Sequence, residues 1–256
     1  MKTAICFSGH LRDYEQAKNY WKEFIYLNKC EVFASIWDSC DGSSEKFQTE
    51  FNPKKFESED QSILNADLEF LRKNISLPHL SNGRALNKEL TDAFISMKTF
   101  SMWYKIWRAN LLSQNESFDV VIRARFDAFF KKPFLVEQNS YINVPNFKVY
   151  VRNWPNCVGP VDLFAYGSQK LISYYSSLFY KYYSYFEKQH TVSIAENLLR
   201  IHLAEKDIEI RNIPHQFTLR DGIWTISNDC FYTEKTSEWY HEPILEYGFF
   251  KKNKGL

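Results

Sequence analysis

The chain has 256 residues, 45% of them apolar and 25% charged, a soluble composition long enough to bury a sizeable core in one domain. Its 32 basic and 31 acidic residues balance to +1, so bulk attraction to nucleic acid or anionic lipid is not part of its chemistry. The 8 glycines are too scattered to form G-x-G-x-x-G or G-x-x-x-x-G-K, which excludes phosphate-loop and dinucleotide-fingerprint enzymes, while aromatics reach 18%.

No uncharged apolar run approaches the ~18 residues of a membrane span, and the opening apolar stretch is too short for a secretory signal. A cytoplasmic protein without a transmembrane segment is expected. Cys6, Cys30, Cys40, Cys157 and Cys230 are odd in number and widely spaced, which fits free thiols rather than a zinc site or a disulfide framework.

Residues 3–8 read as a short buried strand. Residues 13–28 carry Tyr14, Ala17, Trp21, Phe24 and Ile25 at helical spacing. Residues 31–38 read as a second strand, so the chain opens with a βαβ unit, its strands parallel and its crossover right-handed. Residues 39–62 are polar, with Asp41-Gly42 and Asn52-Pro53, and read as a loop around one short element. A short helix is expected over 63–73 and a loop over 77–88. Residues 90–113 read as a long helix with Phe94, Met97, Trp103, Ile106, Trp107 and Leu111 as its buried stripe. A strand follows over 118–125, a pair of short strands over 141–151 and another strand over 161–167. Helices are expected at about 169–187 and 192–206, and a last strand at 208–213. Beyond about 232 the pattern loses its period and reads as a surface tail. The class is α/β, with a Rossmann-like, mostly parallel sheet flanked by helices. Ligands of such sheets bind outside the carboxyl ends of the strands.

The first strand ends in Ser8-Gly9-His10-Leu11-Arg12. Gly9 lets backbone N–H groups approach a ligand, and the following helix N-terminus favours an anion; the other reading is a plain turn with a solvated Arg12. The second strand ends at Trp37-Asp38, where Asp38 either meets a ribose or base edge or caps the turn. In the third strand, alternation puts Val121, Arg123, Arg125 and Asp127 on one face. Charges in a central strand are costly unless they pair or meet a ligand. They are therefore either a structural Arg–Asp pair or a phosphate clamp with Asp127 set to hold a divalent metal. Asp162, among aromatics, is a candidate base or a surface carboxylate at a strand start. Glu196 either caps its helix or contacts a sugar hydroxyl. His202 reads as a packing histidine. His215 and Arg220 follow the last strand and are candidates to fold back over a metal or phosphate. The tyrosines around 174–186 are core, with a share open to stacking against sugar rings.

These residues resemble a group of bacterial and viral glycosyltransferases with the GT-A fold. The likeness runs through Ile5-Cys6-Phe7-Ser8-Gly9-His10-Leu11-Arg12 and Val32-Phe33-Ala34-Ser35-Ile36-Trp37-Asp38. It continues in the helix Ser101-Met102-Trp103-Tyr104-Lys105-Ile106 with Ala109-Asn110. It is sharpest at Phe118-Asp119-Val120-Val121-Ile122-Arg123-Ala124-Arg125-Phe126-Asp127 and goes on in Asp162-Leu163-Phe164-Ala165-Tyr166-Gly167-Ser168. It covers most of residues 1–210. The resemblance implies transfer of a sugar from a nucleoside diphosphate sugar to a hydroxyl of a glycan acceptor, with no nucleic-acid partner. It implies one domain over 1–256, with 1–130 binding the nucleotide-sugar, 131–232 binding the acceptor and 233–256 as a tail. Ser8, Gly9, His10, Arg12, Asp38, Arg123, Arg125 and Arg220 would bind the donor. Asp162 would be the base of an inverting displacement and Glu196 its alternative. Mn²⁺ or Mg²⁺ would sit at Asp127 with His215. Enzymes of this fold usually carry an Asp-x-Asp pair for that metal, but here the triplet is Arg125-Phe126-Asp127, so the arginines can offset part of the diphosphate charge themselves. Two rival classes fit the same residues: a non-catalytic glycan-binding protein on a degenerate transferase fold, and a phosphoryl- or sulfuryl-transfer enzyme.

Overall fold

A computed structural model describes residues 1–11, 14–38, 43–74, 97–145, 148–151, 154–158, 160, 162–189, 195–213, 217–219, 224–226 and 233–235. The expected opening is present as β1 (Thr3–Gly9), α1 (Tyr14–Asn28) and β2 (Cys30–Trp37), with β1 and β2 parallel. α1 forms because Tyr14, Ala17, Trp21, Phe24 and Asn28 recur on one buried face. Asn28 ends it: its Nδ2 donates to the carbonyls of Phe24 and Phe134, and its Oδ1 accepts from the Val136 amide.

The polar stretch after β2 departs from the expected loop. It contains α2 (Ser43–Phe51), β3 (Lys55–Glu59) and a 3₁₀ turn over Gln61–Leu64, and then α3 (Asn65–Asn74). α2 is anchored by Phe47 and Phe51 at i,i+4 spacing, both packed against Phe7. α4 spans Met97–Ser113, within the long helix expected over 90–113. Its buried residues include Phe100, Trp103, Lys105, Ile106 and Ala109, whereas Leu111, expected in the stripe, is 39% exposed. A charged residue, Lys105, holds a core position instead.

β4 (Val120–Ala124) and β5 (Ala128–Phe130) follow. The expected strand pair over 141–151 is split between sheets. β6 (Ile142–Val144) joins the main sheet, and β7 (Lys148–Val151) pairs with β8 (Trp154–Val158). β9 (Phe164–Gly167) comes next. The helix expected over 169–187 breaks at Ser177 into α5 (Gln169–Ser176) and α6 (Leu178–Gln189), and α7 covers Ala195–Ala204. Ser168 caps α5, its side chain accepting from the Leu171 amide. β10 (Glu209–Asn212) is the expected last strand, joined by three short ones: β11 (Phe217–Leu219), β12 (Trp224–Ile226) and β13 (Thr233–Lys235).

The main sheet has eight strands in the order β13-β10-β6-β9-β4-β1-β2-β3. β1, β2, β3 and β4 pair in parallel, and β6 and β10 pair in parallel with each other. β9 runs against both β4 and β6, so β6 and β10 point the same way as β1. Only β9 and β13 run opposite to the other strands. The sheet is therefore mostly parallel, as expected of a Rossmann-like α/β chain. A smaller sheet, β12-β11-β5, lies beside it.

Each face of the main sheet carries its own core. One face packs Cys6, Phe33, Trp37, Val121 and Ala165 against α3 to α7. The other packs Phe7, Ile36, Ala124 and Phe164 against α1 and α2, with Trp21 and Phe24 set edge-to-face against phenylalanines. The aromatic excess is mostly this packing, in edge and offset pairs. Among the described residues, no helix is long and apolar enough to cross a membrane.

Candidate functional site

β1, β2 and β4 end side by side, and a cleft of about 440 Å³ opens at their carboxyl edge. Ser8, Gly9 and His10 line it from the end of β1, Trp37 from β2, and Arg123, Arg125 and Phe126 from β4 and its exit. Gly9 has φ +107°, a conformation that side-chain-bearing residues rarely adopt. A Cβ there would meet nothing within 4 Å, so the backbone angle, not space, calls for glycine.

Arg123 is the most unusual residue of the cleft. It is 2% exposed, and its Nη1 donates to the Leu163 carbonyl while Nε and Nη2 have no hydrogen-bond partner. Burial pulls its pKa down, against the opposing fields of Tyr175, Asp162 and Asp127. Unmade bonds on a buried guanidinium are costly, and an anion that reached these nitrogens would supply the missing acceptors. The Ser8 hydroxyl, also buried, lacks a partner too.

Arg125 and Asp127 form a two-pronged ion pair: Nε donates to Oδ1 at 2.9 Å and Nη2 to Oδ2 at 2.7 Å. The strand ends at Ala124, so Arg125 and Asp127 lie past it rather than on its alternating face, and there the two charges meet each other. Asp127 is buried, whereas Arg125 lines the cleft. Each Asp127 oxygen already accepts from Arg125, so a divalent ion there would have to share this carboxylate with the guanidinium or displace it.

Asp162 lies in the turn before β9 and is buried, not a surface group. Glu196 sits in the first turn of α7. Burial, and then the neighbouring Asp162 charge, push the Glu196 carboxyl up to about 7. Both carboxylates act electrostatically on Tyr175, as does Arg123. Asp162 acts electrostatically on both Arg123 and Glu196, and neither carboxylate is among the described residues that line the cleft.

Of the other residues singled out from sequence, Asp38 is exposed just past β2, and its amide donates to the Glu59 carbonyl. Arg12, His215 and Arg220 lie outside the described residues. His202 is wholly buried, as expected of a packing histidine. It stacks on Tyr174 at 4.2 Å, with its ring nitrogens against the Tyr185 hydroxyl and the Tyr174 carbonyl.

Sequence reasoning missed the cleft's other wall. Lys98, Ser101 and Met102 from α4 and Gln61 from the 3₁₀ turn line it. Gln61 donates to the Ser101 hydroxyl, which donates in turn to the Lys98 carbonyl. The i,i+3,i+4 spacing of Lys98, Ser101 and Met102 marks one helical face, and that was the available signal. Behind this wall, Lys105 is fully buried over the Trp37 ring at 4.3 Å and donates to Glu59 at 2.6 Å. Arg108 forms a two-pronged pair with Glu57. No protein-family model and no curated protein matches the chain.

Proposed function

We propose that the protein is a glycosyltransferase that moves a sugar from a nucleoside diphosphate sugar to a hydroxyl of a glycan acceptor. The observation that carries this reading is the cleft at the carboxyl edge of the parallel strands, where Arg123 offers buried N–H donors that lack partners. Its volume suits a small-molecule ligand. The sequence resemblance to GT-A transferases runs through the same segments.

In this reading the donor lies across the strand ends. Ser8, Gly9 and His10 meet the nucleotide or its phosphates. Arg123 and Arg125 stabilise the negative charge that develops on the departing diphosphate, a kind of electrostatic term that is often the largest in catalysis. The acceptor oxygen bonds to the anomeric carbon as the bond from that carbon to the diphosphate oxygen breaks. The diphosphate keeps the bonding pair, the hydroxyl proton passes to Asp162, and configuration inverts. Glu196 is the alternative base, its pKa of about 7 suiting proton transfer near neutrality.

Turnover of uridine and guanosine diphosphate sugars with glycan acceptors tests the reading. Asp162→Asn is expected to lower turnover about 10²-fold or more with the fold intact by circular dichroism. Near-full turnover would remove Asp162 from the base role. Thermal stabilisation by free glycans alone, with no donor turnover, would favour the glycan-binding alternative.

A further inference from the structure

We infer that the cleft holds a diphosphate without a divalent ion, in a clamp of Arg123, Arg125 and Lys98, with Asp127 as the positioning residue that aims Arg125. This rests on the donor reading above and specifies how the donor's charge is met.

Four observations carry it. First, Arg123 is 2% exposed and keeps two nitrogens without partners where it lines the cleft. A guanidinium fork matches two phosphate oxygens, so a phosphate completes this group as a lone metal ion cannot. Second, Arg125 spends Nε and one Nη2 hydrogen on Asp127 and retains its other donors beside the cleft. The ion pair fixes the plane of the guanidinium, which lowers the entropy lost when a phosphate docks. Third, Lys98 brings a further cation to the cleft from α4, and the buried Ser8 hydroxyl adds a neutral donor. Fourth, none of the described lining residues is a carboxylate. A divalent cation entering here meets three like charges, and the nearby Asp127 is already engaged through both oxygens. The two phosphates, one negative charge on each in a nucleotide sugar, have their counter-charges in the protein itself.

The test is calorimetric titration of the full chain with inorganic pyrophosphate and with uridine and guanosine diphosphates, first in excess EDTA and then with Mn²⁺ or Mg²⁺. The expected result is binding in EDTA, within about threefold of the affinity measured with metal. Lys98→Ala, at an exposed position, is expected to weaken it about tenfold, the loss of one charge-assisted contact. Asp127 is tested by a double-mutant cycle. If it acts only through Arg125, Arg125→Ala/Asp127→Ala binds pyrophosphate no more weakly than Arg125→Ala alone. Additive losses would show that Asp127 meets the ligand or a metal directly and would overturn its positioning role. Binding that appears only with metal and vanishes in EDTA would overturn the clamp while leaving the transferase reading in place. Diphosphate binding in EDTA with no turnover of any nucleotide sugar would do the reverse: the clamp stands and the transferase reading falls. No binding of any diphosphate under either condition removes both.

Discussion

At the scale of single residues, two titrating groups pull the stability of the protein in opposite directions. Burial holds the His202 imidazole down at about 4, against an ordinary value of 6.5, so its folded-state partners are served by the neutral ring. As pH falls from about 6.5 to about 4 the unfolded chain takes up a proton that the folded one refuses, and stability drops by up to about 3 kcal/mol. Glu196 does the opposite. Its folded pKa of about 7 lies above the ordinary 4.5, so its contribution is full below about 4.5 and is lost as pH rises through about 7. The two effects offset each other between pH 4.5 and 6.5. Urea midpoints across pH 4–8 separate them: Glu196→Gln is expected to steepen the acid loss, and His202→Gln to leave a net gain on acidification. A flat profile in both variants would show that neither group changes its protonation on folding.

At the scale of elements, α4 and β3 are joined by charge rather than by apolar packing alone. The β3 sequence Lys55-Phe56-Glu57-Ser58-Glu59 looks like a loop because its helix-facing positions are carboxylates. Register explains them: Ser35, Trp37, Glu57 and Glu59 share the face beneath α4, where Arg108 and Lys105 meet the two glutamates. The Ser35 hydroxyl donates to Glu57, and Tyr104 donates to Glu59 while its ring stacks on Trp37. Lys105, 0% exposed, therefore couples an edge strand to a tryptophan that lines the cleft. Burial lowers the Lys105 pKa, and Glu59 works against that shift. Removing one partner of a buried pair costs more than removing both. Glu59→Gln is accordingly expected to destabilise the fold by about 2 kcal/mol in urea, because it leaves the buried Lys105 charge only the more distant Glu57, at 3.8 Å, as counter-charge. Lys105→Met is expected to cost less, since an apolar chain of similar volume needs no counter-charge. Equal costs for the two variants would mean that the ammonium contributes mainly as packing volume.

At the scale of the whole molecule, the sheet divides the labour. Its two faces carry separate cores, and its carboxyl edge gathers segments far apart in the chain: Ser8–His10, Trp37, Lys98–Met102 and Arg123–Phe126. A ligand that bridges these segments stabilises the entire fold by mass action. A nucleoside diphosphate at one hundred times its dissociation constant should add about 2.7 kcal/mol and raise Tm by roughly 5–10 °C in a chain of this size. Arg125→Ala, binding about tenfold more weakly, is expected to keep only about half of this shift, and its full persistence there would locate the ligand elsewhere.

Sequence alone set the βαβ opening, the central strand with Val121 and Arg123 on one face, and the aromatic identity of the core. Buried faces leave a period of 2 or 3.6 in the chain, and a period survives without knowledge of the partner. It also carried both the pairing and the clamp readings of Arg125 and Asp127, because alternation states which side chains share a face and not what each one touches. The tertiary structure decided the rest. It turned Arg125 onto Asp127, made β3 from a polar run, buried Lys105, and brought Lys98 of α4 to the same cleft as Arg123. Pairing between polar groups from distant segments has no period. It is set by which elements the sheet order makes neighbours, and the cleft at the strand ends is composed almost wholly of such meetings.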